Sequence, residues 1–259
     1  MKLTIHDVGH GQCISLVHEN GNVILWDCGH SDWCNPATIL YSQGIKTINR
    51  LFITNYDEDH ISDLPNIISK FTIKILHRNR SVTAEQLRKI KQDTGYITDS
   101  MQSMLGLINT YATDVRPEDN PAFPNVSYTC YCNKYGAEFS DTNNISLVTV
   151  IKCSGTKFII PGDVETAGWE NLLKNDTFRA DISDVDYFIA SHHGRENGYC
   201  EAVFSYCKPK CFIFSDSNVQ HATQETTNKY NKHASGITFN GETRYVLTTR
   251  NDNSLTWSL

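Results

Sequence analysis

Short apolar runs separated by polar or glycine-containing turns predict that the chain begins as β-structure. Strands are predicted over residues 3–5, 13–17 and 23–26. The last two flank Asn20-Gly21, a dipeptide typical of a tight hairpin turn. The second and third strands are therefore expected to form a hairpin.

Helical and strand patterns alternate through the middle of the chain. A helix is predicted over residues 36–44 and a strand over 48–54. A helical pattern then carries apolar residues at positions 61, 64, 67, 68 and 71, and a short strand follows at 72–77. Residues 83–111 have helical spacing, whereas residues 115–125 contain three prolines and are predicted to be a loop.

The second half of the chain returns to strands. They are predicted over residues 127–132, 145–152, 156–160, 185–190 and 212–214, with a short helix over 169–173. Residues 245–249 and 254–257 are predicted to form a closing hairpin around Asn251-Asp252-Asn253.

Size and composition limit the class of protein. A chain of 259 residues can bury a large core, and we favour a single domain over residues 1–259. The net charge of -6 argues against a basic sheath for nucleic acid, so a nucleic-acid substrate would have to be gripped locally. Nine cysteines, an odd number without ribbon-type pairs, are expected to be reduced thiols. With no apolar run near the roughly 20 residues of a membrane helix, we expect a cytoplasmic protein without membrane contact.

The loop after the strand at 48–54 is the strongest chemical signal. Asp57, Glu58, Asp59 and His60 occupy four successive positions. Carboxylates this close repel one another unless they are solvated, protonated or neutralised, and a metal ion neutralises them most simply. The alternative is an ordinary acidic helix start, because acids are favourable in the first turn of a helix.

Metal-competent residues follow the ends of three predicted strands. Thr54 leads into the acidic loop, Ile160 leads into Asp163, and Ala190 leads into His192 and His193. Strands that are neighbours in a sheet bring such ends to one edge, where sites of α/β proteins commonly lie. Each piece alone could be a turn or a helix cap, but their repetition favours a metal site.

These segments resemble the metallo-β-lactamase fold hydrolases, and more narrowly the hydrolase domain of ComEC-type competence proteins. That branch carries His-x-Asp-x-Asp-His where this chain has residues 55–60, beginning with Asn55. Further matching segments are residues 7–12, 27–29, 143–148, 162–163 and 192–194, with Asn218 and His221 beyond them. The match covers roughly residues 3–221, apart from an unmatched helical and loop segment at about 78–140.

The resemblance implies an α+β fold, a four-layer αβ/βα sandwich with two divalent metal ions between its sheets. It assigns Asp59, His60 and His192 to one ion, Asp163 to both, and Asp57 and Asn55 to the other, with Asn143 or Asn144 nearby. Which of His192 and His193 is the ligand stays open at this point. Asn55 replaces a histidine, so the second ion is expected to be weakly held. Oxygen ligands also shift preference from zinc toward manganese or magnesium.

The predicted function is hydrolysis by a metal-activated water, with nucleic acid or a nucleotide as the leading substrate. Asp59 is expected to position or deprotonate the water, and His193 or His221 to protonate the leaving oxygen. A second hypothesis replaces the substrate with a small molecule, such as a cyclic nucleotide, a lactone or a thioester. A third is a degenerate binding or regulatory protein whose second metal site has been weakened. The oligomeric state is left open.

Overall fold

The computed structural model describes residues 1–136, 138–218 and 226–259. Within them the strands are, in chain order, β1 (Lys2–Ile5), β2 (Ile14–Val17), β3 (Val23–Trp26), β4 (Thr47–Ile48), β5 (Arg50–Phe52), β6 (Thr72–Ile73), β7 (Leu76–His77), β8 (Val126–Tyr131), β9 (Val148–Cys153), β10 (Thr156–Ile160), β11 (Tyr187–Ile189), β12 (Cys211–Phe214), β13 (Ile237–Phe239), β14 (Glu242–Arg244), β15 (Val246–Thr248) and β16 (Leu255–Ser258).

The α-helices of the same residues are α1 (Pro36–Ser42), α2 (Glu58–Ile61), α3 (Leu64–Lys70), α4 (Ala84–Thr94), α5 (Asp99–Thr110), α6 (Thr166–Leu172), α7 (Asp176–Asp181), α8 (Thr227–Asn231) and α9 (Thr249–Asp252). Turns of 3₁₀ helix lie at Pro117–Asp119, Ser191–Gly194, Glu196–Gly198 and Glu201–Ser205. No described helix is both long and apolar enough to cross a lipid bilayer.

Two six-stranded sheets organise the chain. The first has the order β16-β1-β2-β3-β5-β7, and the second has the order β15-β12-β11-β10-β9-β8. Strands β3, β5 and β7 run parallel, as do β10, β11, β12 and β15. Their carboxyl ends therefore deliver the connecting loops to one edge of each sheet.

Apolar side chains fill three layers between and outside the sheets. Along β3, Ile24 and Trp26 pack into the core between the sheets, whereas Leu25 packs against the outer helices. Trp169 and Phe178 of α6 and α7 cover the outer face of the second sheet. Because both faces of the central strands are buried, their sequences are continuously apolar rather than alternating. The result is the predicted four-layer αβ/βα arrangement.

The predicted strand over residues 48–54 is two strands in the structure. Asn49 separates β4 from β5, and its side-chain oxygen accepts a hydrogen bond of 2.8 Å from the Val23 amide. Strand β4 then pairs with β6, while β5 pairs with β3. The side-chain hydrogen bond replaces a sheet bond at this point, which explains the break.

The closing hairpin prediction is wrong. Strand β15 pairs with β12 in the second sheet, whereas β16 pairs with β1 in the first. The intervening residues form α9, and the Asp252 carboxylate accepts hydrogen bonds from Arg244 and from the Thr248 amide. The chain therefore crosses between sheets at this point, and the hairpin that does form is β13–β14.

His6 yields a test of the core packing. The side chain is buried and lies 2.9 Å from the Ser15 hydroxyl, and burial followed by the Lys2 charge lowers its pKa from 6.5 to about 4. Between pH 6.5 and 4, His6 is protonated in the unfolded chain but not in the folded chain. The stability contributed by the neutral, buried His6 is therefore present above pH 6.5 and is lost toward pH 4. Between pH 7 and 4.5, the free energy of unfolding of the wild type should fall by roughly 2 to 3 kcal/mol more than that of His6→Gln.

Urea unfolding at a series of pH values measures this difference. The exposed Thr72 supplies the control, because Thr72→Ser changes no ionisable group and should give a curve parallel to that of the wild type. Parallel curves for His6→Gln would contradict the assignment.

Candidate metal centre

Four side chains converge at the edge shared by the two sheets. Asp59, His60, Asp163 and His193 each place one ligand atom within 4.8 Å of all the others. The His60 Nε2 atom lies 3.0 Å from Asp163 Oδ1, and His193 Nε2 lies 3.2 Å from Asp59 Oδ2. These four side chains are called the quartet below.

The Asp59 segment is held by its backbone. The Gln12 amide donates to the Asp59 carbonyl over 3.0 Å. A Cβ atom at Gly11 would come within 2.6 Å of that carbonyl, and one at Gly29 would clash with it as well. Glycine at both positions therefore lets two loops close around the start of α2.

Asp27, at the end of β3, fixes the orientation of His60. Its buried carboxylate accepts hydrogen bonds from the Thr54 amide over 2.7 Å, from the Gln12 side chain over 2.7 Å, and from the Thr54 hydroxyl. It also lies 2.8 Å from His60 Nδ1. With Nδ1 held in this way, Nε2 faces Asp163. A carboxylate behind a histidine is the usual outer support of a metal ligand.

Asp163 follows β10 through a turn that needs glycine. Gly162 has a φ of 61°, and a Cβ atom there would lie 2.8 Å from the Thr54 hydroxyl. The Asp163 amide donates to the Ser146 hydroxyl over 3.2 Å. The turn thus brings the carboxylate over the end of β5 in the other sheet.

The two histidines after β11 occupy strained backbone. His192 and His193 have φ values of 52° and 54°, in the left-handed region that residues other than glycine rarely adopt. His193 Nδ1 donates to the Ser215 carbonyl over 2.9 Å, so Nε2 turns toward the quartet. The His192 amide donates to the Gly162 carbonyl over 3.1 Å. Such strain is typical of functional sites.

This placement differs from the expected roles of the two histidines. The resemblance assigns His192 to the ion and His193 to proton transfer, with the choice between the two rings left open, and it is His193 that joins the quartet. His192 instead places Nδ1 3.6 Å from Glu165 Oε1 and Nε2 3.9 Å from Asp163 Oδ2. The Ser215 carbonyl and the two left-handed residues decide which ring turns inward, and neither is visible in the sequence.

The donors present fit a divalent cation. His193 Nε2 is buried and makes no well-aligned hydrogen bond, although Asp59 Oδ2 lies 3.2 Å away, as expected of two atoms that share a cation. Two imidazole nitrogens and two carboxylates suit zinc or manganese. The quartet is therefore a candidate metal centre for one ion.

The charges of the quartet also favour a bound cation. Burial alone would lower the pKa of His60 and of His193, but the Asp163 carboxylate, helped by Asp27 and Asp59 respectively, raises both pKa values. Burial opposes ionisation of Asp163, yet His60 and His193 hold its pKa below the usual range. The buried carboxylates of the quartet thus favour positive charge at this position, which a divalent ion would supply.

Asn55 and Asp57 do not join the quartet. Asn55 Oδ1 accepts from the Asp57 amide over 2.9 Å, and its amino group donates to Asn143 over 3.0 Å. Asp57 is ion-paired with Lys91. Asn144 has a structural role, because its side-chain oxygen accepts from the Gly168 amide over 2.9 Å. His221 lies outside the described residues.

The quartet opens to solvent on the side of Asp59 and His10. Their side chains are 25% and 28% exposed, against 3% or less for His60, Asp163 and His193. Burial and the nearby His193 lower the pKa of His10 to about 4, so its neutral Nε2 accepts from Arg195 over 3.2 Å. Arg195 thus stands at the mouth, a role that sequence reasoning missed. Its position directly after His192-His193-Gly194 was the available signal.

No protein-family model matches the chain. Over 199 residues it is 22% identical to ComE operon protein 3 of Bacillus subtilis strain 168, a match covering 75% of this chain and 24% of that protein. The chain therefore spans about a quarter of the length of this relative. The match agrees with the motif resemblance without fixing the branch.

Solved structures show the same architecture. The metallo-β-lactamase fold protein YhfI from Bacillus subtilis matches with a TM-score of 0.53 and 10% identity, covering 100% of both chains. Igni18, a metallo hydrolase from Ignicoccus hospitalis KIN4/I, matches with a TM-score of 0.51 and 12% identity over 100% of both chains. The chain has the metallo-β-lactamase fold. In this fold, the quartet lies where the strand ends of both sheets meet.

The orienting role of Asp27 at the centre of this metallo-β-lactamase fold can be tested without changing any residue of the quartet. Asp27→Asn removes the carboxylate behind His60 and should weaken zinc or manganese binding by roughly 10- to 100-fold. Competition with a chelating dye measures the affinity. Asp32→Asn, at an exposed position, is the control and should bind as the wild type does. Unchanged affinity in folded Asp27→Asn would contradict the orienting role.

Proposed function

We propose that this protein is a metal-dependent phosphodiesterase that acts on a nucleotide or nucleic-acid substrate. The observation that carries the proposal is the pairing of the buried quartet with the cationic Arg195 at its mouth. The metallo hydrolase Igni18 has the same fold, which is consistent with a hydrolytic role but does not define the substrate.

Of the quartet residues, Asp59 is partly exposed, whereas the other three are buried. Asp59, His60, Asp163 and His193 would hold a divalent ion, which supplies positive charge that acidifies water and stabilises charge developing on a phosphoryl oxygen. Asp59 is the most exposed of the four, so its carboxylate is placed to orient the attacking water. Buried His60 and Asp163 keep the arrangement rigid. The Mn²⁺, Mg²⁺ and Zn²⁺ ions are all candidates.

His193 is not available as the proton donor once it serves as a ligand. Its Nδ1 donates to the Ser215 carbonyl and its Nε2 points into the quartet. The ring therefore carries no further proton toward a leaving group. This geometry favours a ligand role for His193 in place of the expected acid role.

Arg195 favours an anionic substrate over a neutral ester. Among the described residues, no acidic side chain lies within ion-pair distance of its guanidinium, and its Nε is buried without a partner. A partly buried guanidinium without a counter-ion is costly unless an anion binds there. A guanidinium also matches the geometry of phosphate oxygens, which a lactone or a thioester does not offer.

Trp33 supports a substrate that carries a base. The side chain is 67% exposed, and it packs against the loop before His10, since a Cβ atom at Gly9 would lie 3.1 Å from its ring. In this proposal the exposed ring, which contacts the residue before His10, is the stacking surface for a nucleobase. With a net charge of -6, the protein would grip such a substrate locally rather than along a basic groove.

Hydrolysis of bis(p-nitrophenyl) phosphate tests the proposed activity. Metal-stripped protein should gain turnover when manganese, magnesium or zinc is restored, and Asp163→Ala should abolish it. Asp184→Ala, an exposed position, is the control. Protein that binds metal but cleaves no phosphodiester would refute the proposal, and turnover of a thioester or lactone instead would favour the small-molecule alternative.

The substrate contact proposed for Arg195 can be tested by kinetics. Arg195→Gln should lower kcat/KM for phosphodiesters by roughly 10- to 100-fold through a higher KM, because a charge-assisted hydrogen bond of about 1.5 to 3 kcal/mol is lost. Metal affinity should be unchanged, and Arg195→Lys should restore part of the loss. Arg116→Gln, an exposed position, is the control. Equal kinetics for Arg195→Gln and wild type would exclude a substrate contact.

A further inference from the structure

Asp57 already has a cationic partner. Its carboxylate is ion-paired with the Lys91 ammonium group, and the Thr142 hydroxyl donates to both of its oxygens over 3.0 and 3.2 Å. The side chains of Lys91 and Asp57 are only 16% and 35% exposed. The carboxylate that the motif resemblance assigns to a second metal ion is thus neutralised by the protein itself.

The neighbouring amides form a chain with a fixed direction. The Asp57 amide can only donate, so the Asn55 atom that it contacts at 2.9 Å is the oxygen. The Asn55 amino group therefore faces Asn143 Oδ1 at 3.0 Å, and the Asn143 amino group donates to Glu165 at 3.0 Å. Each amide oxygen accepts one hydrogen bond, and the amino groups point along the chain. Amino groups repel a cation and cannot bind one.

We propose that the second metal position of this fold is closed in this protein, and that Lys91 supplies the positive charge there. The centre then holds one divalent ion, at the quartet. This inference rests on the proposed function only through the metal-binding quartet, and it does not depend on the substrate.

The helix that carries Lys91 comes from the segment unmatched to the competence branch. Helix α4 begins with a capping box of Thr83 and Gln86, and it packs on α5 through the buried Leu87. These contacts fix α4 beside the acidic loop, so the ammonium group is presented from a rigid element. The unmatched segment thus supplies the positive charge that neutralises Asp57.

The charge balance explains why one cation replaces another. One ammonium group neutralises the single negative charge of Asp57, and the neighbouring amides of Asn55 and Asn143 add no negative charge for a divalent ion. A buried or half-buried group is most favourable when its charge is matched. Unlike a metal ion, however, an ammonium group offers no open coordination position to a substrate oxygen.

Metal stoichiometry tests the inference without relying on activity. Dialysed protein loaded with manganese should contain one ion per chain by elemental analysis, and its EPR spectrum should be that of isolated Mn²⁺. The double variant Lys91→Met with Asn55→His removes the ammonium group and restores an imidazole. It should bind two ions per chain, with the spectrum of a coupled pair.

Two variants on the same helix serve as controls. Lys91→Arg keeps the charge, and Lys89→Met removes a charge from an exposed position; both should retain one ion. Circular dichroism confirms that each variant is folded.

The outcomes separate this inference from the proposed function. Two ions in the wild type would overturn the closed second position while leaving the quartet and the phosphodiesterase proposal intact. One ion in both the wild type and the folded double variant would overturn the role given to Lys91. A wild type that binds no manganese, zinc or magnesium would refute the metal centre itself, and the proposed function with it.

Discussion

The site depends on a single buried carboxylate that does not belong to the quartet. Asp27 has no exposed surface, yet it receives hydrogen bonds from Gln12 and Thr54 and lies against His60. These partners come from three separate segments, so one charged group ties the β1–β2 connection, the end of β5 and α2 together. A buried charge is tolerated only when its hydrogen bonds are complete, and removing one partner affects all the others. The geometry of the quartet is therefore set by Asp27, a residue outside it.

Much of the fold followed from local pattern because the central strands are continuously apolar and end abruptly. Strands β3 and β10 have the predicted bounds, and the loops after β5, β10 and β11 carry the chemistry that their sequences indicated. Parallel neighbours bring such ends together without any need for detailed packing. For this reason Asp59, His60 and Asp163 could be grouped from the sequence.

The remaining features depend on contacts between distant segments. The inward turn of His193 requires the Ser215 carbonyl, and the neutralisation of Asp57 requires Lys91 from a segment with weak sequence signals. The hairpin predicted around Asn251 failed for a related reason: its turn residues are helical, and the flanking strands enter different sheets. Turn composition shows where a chain bends, but it does not show which partner each arm will find.

The wide separation of the ligands along the chain affects how the protein is made. His60 and Asp163 lie 103 residues apart, and the Ser215 hydroxyl that bonds to the Gly11 carbonyl follows it by 204 residues. During synthesis strands β1, β2, β3, β5 and β7 of the first sheet emerge well before Asp163 and His193, so the acidic loop stays solvated until those residues follow. The quartet can form only after the second sheet has docked. Metal uptake would then mark the end of folding, and a metal-poor cell would leave the two halves of the newborn chain less firmly joined.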